Sequence, residues 1–108
     1  MKRGEVRWRE FKAPDKRRPV VILSRNSTLD FLNAVTVAPI TTNLRELPSH
    51  VYLDETDGLL KPCNVTLHSI VTVDKRTIGK FIASLSQERM EEIENAISHA
   101  LGFGDVVG

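Results

Sequence analysis

Apolar and polar residues alternate with a period of two along much of the chain, a pattern typical of β-strands with one buried face. Residues 4–11 show it first, with Val6 and Trp8 on one side and Glu5, Arg7 and Arg9 on the other. Short β-branched or alternating runs predict further strands at residues 19–24, 34–41, 49–53, 64–73 and 78–85. Pro39 lies inside one of these runs and predicts a sheet edge, a bulge or a strand end.

Polar and turn-forming residues separate the strands. Residues 12–17 contain Pro14 and Asp15 and predict a loop, residues 26–33 predict a loop with a helical turn, and residues 54–62 and 74–77 predict turns. Ser86 is a candidate N-cap and Gly102 a candidate C-terminal stop. Between them apolar residues recur at helical spacing, which predicts a C-terminal helix with a buried stripe of Met90, Ile93, Ile97, Ala100 and Leu101.

Six or seven short strands followed by one helix predict a mainly β (α+β) fold, namely a small twisted antiparallel sheet or barrel with the helix packed on it. The 108 residues suit one domain spanning residues 1–108, and 41% hydrophobic residues are enough for a modest core. A small domain gains buried surface by pairing, so its size makes a homodimer plausible before any motif is considered.

Several classes of protein are disfavoured by what the chain lacks. Cys63 is the single cysteine, so no internal disulfide can form, and the Cys and His residues show no metal-ligand spacing. We therefore expect no metal and no cofactor, and nucleotide-binding and serine-hydrolase motifs are also absent. No apolar stretch has the length of a signal peptide core or a membrane span, so we expect a cytoplasmic protein without membrane contact.

Charge is unevenly distributed although the net charge is only +1. Residues 1–25 carry a balance of +6, and the remainder carries −5. A basic segment favours a polyanionic partner, but it is equally compatible with a solvated surface beside an acidic helix. Charge alone leaves both interpretations open.

Four segments, in this order and spacing, resemble the MazF/PemK family of toxin endoribonucleases. They are Arg3 to Val6 with Trp8, Arg17 to Ser24, Val37 to Asn43, and Ile70 to Arg76, the last followed by residues 82–101 that resemble the family's final strand and helix. The resemblance covers nearly the whole chain. It implies an SH3-like β-barrel of six or seven strands with a C-terminal α-helix, the fold of CcdB, Kid and MazF.

The resemblance also implies an activity and partners. Members are toxins of toxin–antitoxin systems that cleave single-stranded RNA, here expected to be mRNA, at specific sequences without a metal. The 2′-hydroxyl attacks the adjacent phosphorus and leaves 2′,3′-cyclic phosphate and 5′-hydroxyl ends. Members are usually homodimers inhibited by a cognate antitoxin.

The candidate catalytic residues under this resemblance are three: Arg18, Thr41 and His68. Arg18 matches the family arginine before the Pro-Val strand, and a guanidinium can bind two phosphate oxygens and stabilise the transition state. Thr41 matches the Thr or Ser after Pro-Ile, and its hydroxyl can donate to a phosphate oxygen. The structural alternatives are a surface arginine and an ordinary strand residue.

His68 is a departure from the family pattern. Aligned back from residues 72–75, His68 and Ser69 occupy positions where many members carry an acidic residue and a Gln, and Val71 replaces a common Arg. We expect His68 on a strand face opposite Leu67. A histidine there can transfer protons near neutral pH, whereas the alternative is a partly buried, hydrogen-bonded side chain.

Further RNA contacts are expected from polar residues near these positions. The candidates are Lys16, Arg17, Thr42, Asn43, Arg45 and Ser69. Trp8 can stack on a base, but its alternation with Val6 favours the core or the dimer interface.

Two other functions remain open at this point. The first is a CcdB-like toxin that binds DNA gyrase without enzymatic activity, and the second is a catalytically silent member that binds RNA or a partner. Arg18 and Thr41 favour the ribonuclease, whereas the missing acidic residue at His68 keeps the rivals open. The recognition sequence, the class of RNA cleaved and the antitoxin are not encoded in any motif of the chain.

Overall fold

Seven strands and two α-helices make up the fold of residues 1–10 and 16–104. The computed structural model describes residues 1–10 and 16–104. The strands are β1 (Glu5–Glu10), β2 (Arg17–Ile22), β3 (Ala34–Thr41), β4 (His50–Leu53), β5 (Cys63–Thr66), β6 (Val71–Asp74) and β7 (Ile78–Ser84). The helices are α1 (Asn26–Leu29) and α2 (Gln87–Leu101), with 3₁₀ turns at Glu55–Asp57, Leu67–Ser69 and Lys75–Thr77.

The strands form one antiparallel sheet in the order β4-β5-β3-β2-β1-β7, with β6 also paired to β3. This confirms the predicted mainly β fold with a C-terminal helix. Among residues 1–10 and 16–104, no pairing joins the end strands β4 and β7, so closure into a barrel is not observed there.

Strand β3 lies at the centre of the sheet. It pairs with β2, and it also pairs with one strand along its first half and a different strand at its end. Its first half, from Ala34 to Val37, pairs with β6, and its last two residues pair with β5. Pro39 lies between these two pairings and also faces Val20 of β2. A proline has no N–H to donate to a sheet ladder, so it suits the position where the outer neighbour changes. The predicted irregularity at Pro39 is therefore a change of partner within a continuous strand.

The alternation of β3 separates two buried clusters. Ala38 and Ile40 face the larger cluster, in which Met90 and Ile93 of α2 pack against the sheet. Val35 and Val37 face the smaller cluster on the other side, which includes Leu29 of α1. Helix α2 therefore covers one face of the sheet, and part of the opposite face stays accessible.

Helix α2 begins and ends where the sequence predicts. The Ser86 hydroxyl oxygen accepts a hydrogen bond from the Arg89 N–H, and Gly102 has a φ of 73°, a left-handed conformation that favours glycine. Met90 and Ile93 are buried as expected, but Leu101 is half exposed, and Ala96 is buried instead. The predicted stripe is thus correct at its start and wrong at its last residue.

The long strand predicted over residues 64–73 is interrupted. The 3₁₀ turn Leu67–Ser69 separates β5, beside β4, from β6, beside the first half of β3. The buried Leu67 side chain anchors the turn in the core, and the Leu67 N–H donates to the Ser49 carbonyl. Sequence alternation missed this break because β-branched residues continue through it. The loop predicted at residues 12–17 lies partly outside the described residues, and β2 begins two residues before the predicted Pro19.

Gly58 provides a test of the packing between the Glu55–Asp57 turn and β7. Its φ is +93°, and an added Cβ would lie 2.9 Å from the Ala83 Cβ. We expect Gly58→Ala to lower the free energy of unfolding by about 2–4 kcal/mol, because backbone strain and overpacking add. Urea unfolding measures this change.

Gly104→Ala is the matched control. Gly104 has a similar φ of +87°, but an added Cβ there meets nothing within 4 Å. We expect a loss of about 1–2 kcal/mol, from backbone strain alone. Equal losses in the two variants would contradict the close contact with Ala83.

Candidate functional site

The face of the sheet opposite α2 carries a row of polar side chains across neighbouring strands. Asn64 of β5 pairs with Thr41 of β3 on one side and with Tyr52 of β4 on the other. The adjacent row, Ile40 with Val65 and Val51, points into the core against α2. Since side chains alternate between the faces of a sheet, Thr41, Asn64 and Tyr52 share the face that α2 leaves uncovered.

Arg18 belongs to the same row. Strands β2 and β3 pair Val20 with Pro39, and continuing that antiparallel register by two residues places Arg18 across from Thr41. Arg18 also pairs with Arg9 of β1, which adds a second guanidinium on this face. The row therefore runs over five strands, which are spaced about 4.8 Å apart, and spans about 19 Å.

Arg17 points to the opposite face from Arg18, as alternation requires. Its guanidinium carbon lies 4.2 Å from the centre of the Trp8 ring, a cation–π contact. Trp8 is half-buried against Arg17 and is not part of the buried core, and its predicted alternative place at a dimer interface stays a prediction. Lys16 precedes β2 and is exposed, like Arg17 and Arg18.

The Thr41 hydroxyl is oriented by the loop that follows it. The Asn43 N–H donates to Thr41 Oγ1 at 3.1 Å. This bond uses the oxygen as an acceptor, so the hydroxyl hydrogen can donate to a ligand. Thr42 and Asn43 are exposed at the start of this loop.

The loop at residues 42–49 borders a groove of about 640 Å³ over β4 and β5. Apolar groups and hydrogen-bonding groups both line it: Leu44, Arg45, Glu46, Leu47, Pro48, His50, Tyr52 and Asn64. The backbone of Arg45 holds the loop, because its carbonyl accepts a hydrogen bond from Asn64 Nδ2 at 2.9 Å and lies 3.2 Å from His50 Nδ1. The Arg45 side chain is exposed at the groove.

His68 lies in the Leu67–Ser69 turn, so its predicted place on a strand is wrong, although it is exposed and Leu67 is buried as expected. Its Nδ1 lies 2.8 Å from Ser49 Oγ, and its ring stacks on His50 with centroids 5.2 Å apart and planes 15° apart. His50 occupies the row next to that of Thr41, about 7 Å away along the strands. Ser69 is exposed in the same turn.

Two ionisable groups near the groove, Tyr52 and Cys63, lie on opposite faces of the sheet. Loss of solvent and the neighbouring carboxylates of Asp54 and Glu55 raise the pKa of Tyr52, so its hydroxyl keeps its proton at neutral pH. Burial and nearby carboxylates raise the pKa of Cys63 to about 11. Cys63 is buried in the larger cluster beneath the sheet, so its neutral thiol takes no part in the exposed face.

Neither a metal-ligand cluster nor a membrane-spanning helix lies within residues 1–10 and 16–104. No group of three or more His, Cys, Asp or Glu side chains is arranged to hold a metal ion there. No helix in that part of the chain is long and apolar enough to cross a membrane.

Sequence reasoning missed Arg9, His50, Tyr52 and Asn64. His50 and Tyr52 have the two-residue spacing of one strand face, which is a weak signal by itself. Asn64 lies at the start of an apolar run, and only the pairing of β5 with both neighbours brings it beside Thr41. Their grouping depends on strand order and register.

Comparison with known proteins gives a consistent assignment. A family profile described as PemK-like, MazF-like toxin of type II toxin–antitoxin system matches residues 2–101. The chain is 37% identical over 93 residues to Endoribonuclease MazF3 of Mycobacterium tuberculosis, covering 86% of this chain and 90% of the relative. It is also 37% identical over 100 residues to Probable endoribonuclease MazF5 of the same organism, covering 92% and 91%.

Solved structures agree with these relatives. Mycobacterium tuberculosis toxin MazF-mt6 superposes with a TM-score of 0.83 at 33% identity, covering 91% of this chain and 96% of that one. A mycobacterial endoribonuclease in complex with its cognate antitoxin superposes with a TM-score of 0.84 at 25% identity, covering 95% and 96%. Relatives named as endoribonucleases favour an RNA-cleaving enzyme over the gyrase-binding alternative.

Proposed function

Because the chain belongs to the PemK-like, MazF-like family of type II toxin–antitoxin toxins and is an endoribonuclease, we propose that it cleaves single-stranded RNA through 2′-hydroxyl attack. The observation that carries this proposal is the antiparallel register of β2 and β3, which, continued by two residues from Val20 and Pro39, puts Arg18 across from Thr41. The new bond joins O2′ to phosphorus, and the bond from phosphorus to O5′ breaks. The products are a 2′,3′-cyclic phosphate and a 5′-hydroxyl.

Arg18 stabilises the charge that develops on the phosphorane. Its guanidinium is exposed at the start of β2, and Pro19 fixes the backbone directly after it. A guanidinium binds two phosphate oxygens at once, and its charge does not depend on the working pH. Arg9 on the neighbouring strand adds positive potential to the same face. Donors held on strands need little reorganisation when charge develops.

Thr41 donates a hydrogen bond to a nonbridging phosphate oxygen. The Asn43 N–H holds the hydroxyl oxygen at 3.1 Å, which orients the remaining hydrogen. Thr41 and Arg18 thus contact one phosphate from adjacent strands and hold O2′, phosphorus and O5′ in line. No metal is needed in this scheme, because the substrate supplies the nucleophile.

His68 transfers protons in this proposal, in place of the acidic residue found in many members. The contact with Ser49 Oγ and the stacking on His50 fix its ring and use Nδ1, which leaves Nε2 for the substrate. One group accepts the proton of the 2′-hydroxyl, and another protonates O5′ as it leaves. Arg18 is the second candidate for protonating the leaving oxygen.

The surrounding polar residues bind the rest of the RNA strand. Lys16 and Arg45 neutralise phosphates, and Arg17 on the other face of β2 adds long-range positive potential, so affinity falls as salt concentration rises. Thr42, Asn43 and Ser69 lie on the loop and the turn beside the groove, where they contact the backbone or the bases. The cation–π contact with Trp8 limits the motion of Arg17 and keeps its charge beside β2.

We also propose that the toxin acts as a homodimer and that a cognate antitoxin inhibits it. The support for the antitoxin is the similar mycobacterial endoribonuclease, whose structure contains its cognate antitoxin. The support for the dimer is the small size of the chain, which limits the core that one copy can form.

The first prediction concerns the cleavage products. We expect purified protein to cut a long single-stranded RNA in excess EDTA and to leave 2′,3′-cyclic phosphate and 5′-hydroxyl ends. Mapping the cut sites and their end groups measures this. Full loss of cleavage in EDTA with recovery on adding Mg²⁺, or 5′-phosphate ends, would contradict the proposed chemistry.

The second prediction concerns the phosphate-binding pair. We expect Arg18→Ala to lower the cleavage rate by about 100-fold or more, because it removes a charged transition-state donor. Thr41→Val removes a neutral donor and is expected to cost about tenfold. Single-turnover kinetics on a short RNA measure both rates.

Matched controls for this pair are Arg25→Ala and Thr36→Val. Arg25 is an exposed arginine beyond the other end of β2, and Thr36 lies on β3 with its hydroxyl bonded to Thr72. Both controls should cleave at nearly the wild-type rate. Folded Arg18→Ala protein with wild-type activity would remove Arg18 from the mechanism.

The third prediction concerns proton transfer. We expect His68→Asn to lower the rate by about 100-fold and to flatten the pH–rate profile near neutral pH, because an amide does not exchange protons. His99→Asn is the control, since His99 is an exposed histidine on α2. A His68→Asn variant with an unchanged pH–rate profile would assign His68 a purely structural role.

A further inference from the structure

Asn64 is the buried polar residue of the described part of the chain, with 3% of its surface exposed. Its Nδ2 donates to the Arg45 carbonyl at 2.9 Å and lies 3.2 Å from His50 Nδ1. One side chain in β5 therefore contacts both the middle of the 42–49 loop and the first residue of β4. A buried amide costs free energy unless it is hydrogen-bonded, so these two contacts are what stabilise it there.

The chemistry of the partners fixes the orientation of the amide. The Arg45 carbonyl can only accept a hydrogen bond, so the Asn64 atom facing it must be the NH₂ nitrogen. That nitrogen has two hydrogens and can serve a second acceptor. His50 Nδ1 lies within hydrogen-bond distance of that nitrogen, at 3.2 Å, and also 3.2 Å from the Arg45 carbonyl oxygen.

The two contacts of His50 Nδ1 correspond to different neutral tautomers of the ring. If Nδ1 accepts from Asn64, the hydrogen of the neutral ring is on Nε2. Without Asn64, the remaining partner of Nδ1 is the Arg45 carbonyl at 3.2 Å, which requires a hydrogen on Nδ1. The hydrogen on Nε2 is thereby available to a ligand as a donor.

We propose that Asn64 is a positioning residue that determines which RNA sequences are cleaved, and this rests on the proposed function. Asn64 holds the 42–49 loop through its hydrogen bond to the Arg45 carbonyl, and its contact with His50 Nδ1 determines which ring nitrogen of His50 carries the hydrogen. All three residues line the 640 Å³ groove. Asn64 also pairs with Thr41, so the groove adjoins the phosphate-binding row. The groove has apolar walls and a few fixed hydrogen-bonding groups, the features that recognise one base of an unpaired strand.

Two variants remove the amide donors. Asn64→Leu keeps a similar volume without hydrogen bonds, and Asn64→Asp keeps the shape but places oxygen atoms against the Arg45 carbonyl. Thr36→Val is the control, because it deletes one side-chain hydrogen bond of β3 outside the groove. Thermal unfolding identifies the variants that remain folded, and either Asn64 variant is sufficient for the test.

The first readout is relative cleavage at several sites of one long RNA. We expect the kcat/KM at the preferred site to fall about tenfold or more, with a smaller loss at secondary sites, because a displaced loop loses its fit to the preferred base. Partial unfolding lowers cleavage at every site by the same factor and leaves the ratio between sites unchanged. An unchanged ratio in a folded Asn64 variant would therefore overturn the proposal.

The second readout is the His50 ring observed by long-range ¹H–¹⁵N NMR without RNA. We expect the hydrogen on Nε2 in the wild type and Thr36→Val, and on Nδ1 in Asn64→Leu. The same tautomer in wild type and Asn64→Leu would overturn the proposal even if cleavage changed. Failure of the proposed RNA chemistry is recognised separately, from the end groups left by the wild-type protein.

Discussion

The period-two alternation of side chains along β3 is the constraint on which the rest of the structure depends. Ala38 and Ile40 must face α2, and this obliges Pro39 and Thr41 to face the other side. A shift of the strand by one residue would bury Thr41 and expose Ile40, so the hydrophobic cluster fixes the register. The position of the site is thus a consequence of core packing.

The same alternation extends the site to neighbouring strands. Arg9, Arg18, Thr41, Asn64 and Tyr52 come from five separate strands, yet the pairing registers put them in one row. Groups held on paired strands have little freedom to move, which suits a reaction that depends on alignment and charge stabilisation. The loop beside this row is different, because its hydrogen bonds to Asn64 and His50 are few. In the proposed mechanism the strands hold the reacting phosphate, and the loop, which is held by few hydrogen bonds, adjusts the sequence preference.

The two arginines at the start of β2 illustrate how one strand serves two faces. Arg18 belongs to the polar row that includes Arg9, and Arg17 stacks on Trp8 on the other side. A dipeptide of identical residues therefore contributes one candidate catalytic group and one positioned charge. Helix α2 adds no group to this row, but its apolar stripe of Met90 and Ile93 stabilises the face beneath it.

The sequence by itself determined most of the elements, because local signals specify them. Alternation located β1 and β3, Ser86 and Gly102 bounded α2, and ordered motifs pointed to Arg18 and Thr41. Only the tertiary structure decided that residues 67–69 leave the sheet, since Leu67 is held in the core by contacts distant in sequence. It likewise decided that Asn64 joins Thr41 and that His68 stacks on His50. Periodicity reports which face a residue occupies along its own strand, whereas strand order and register determine which residues of other strands become its neighbours.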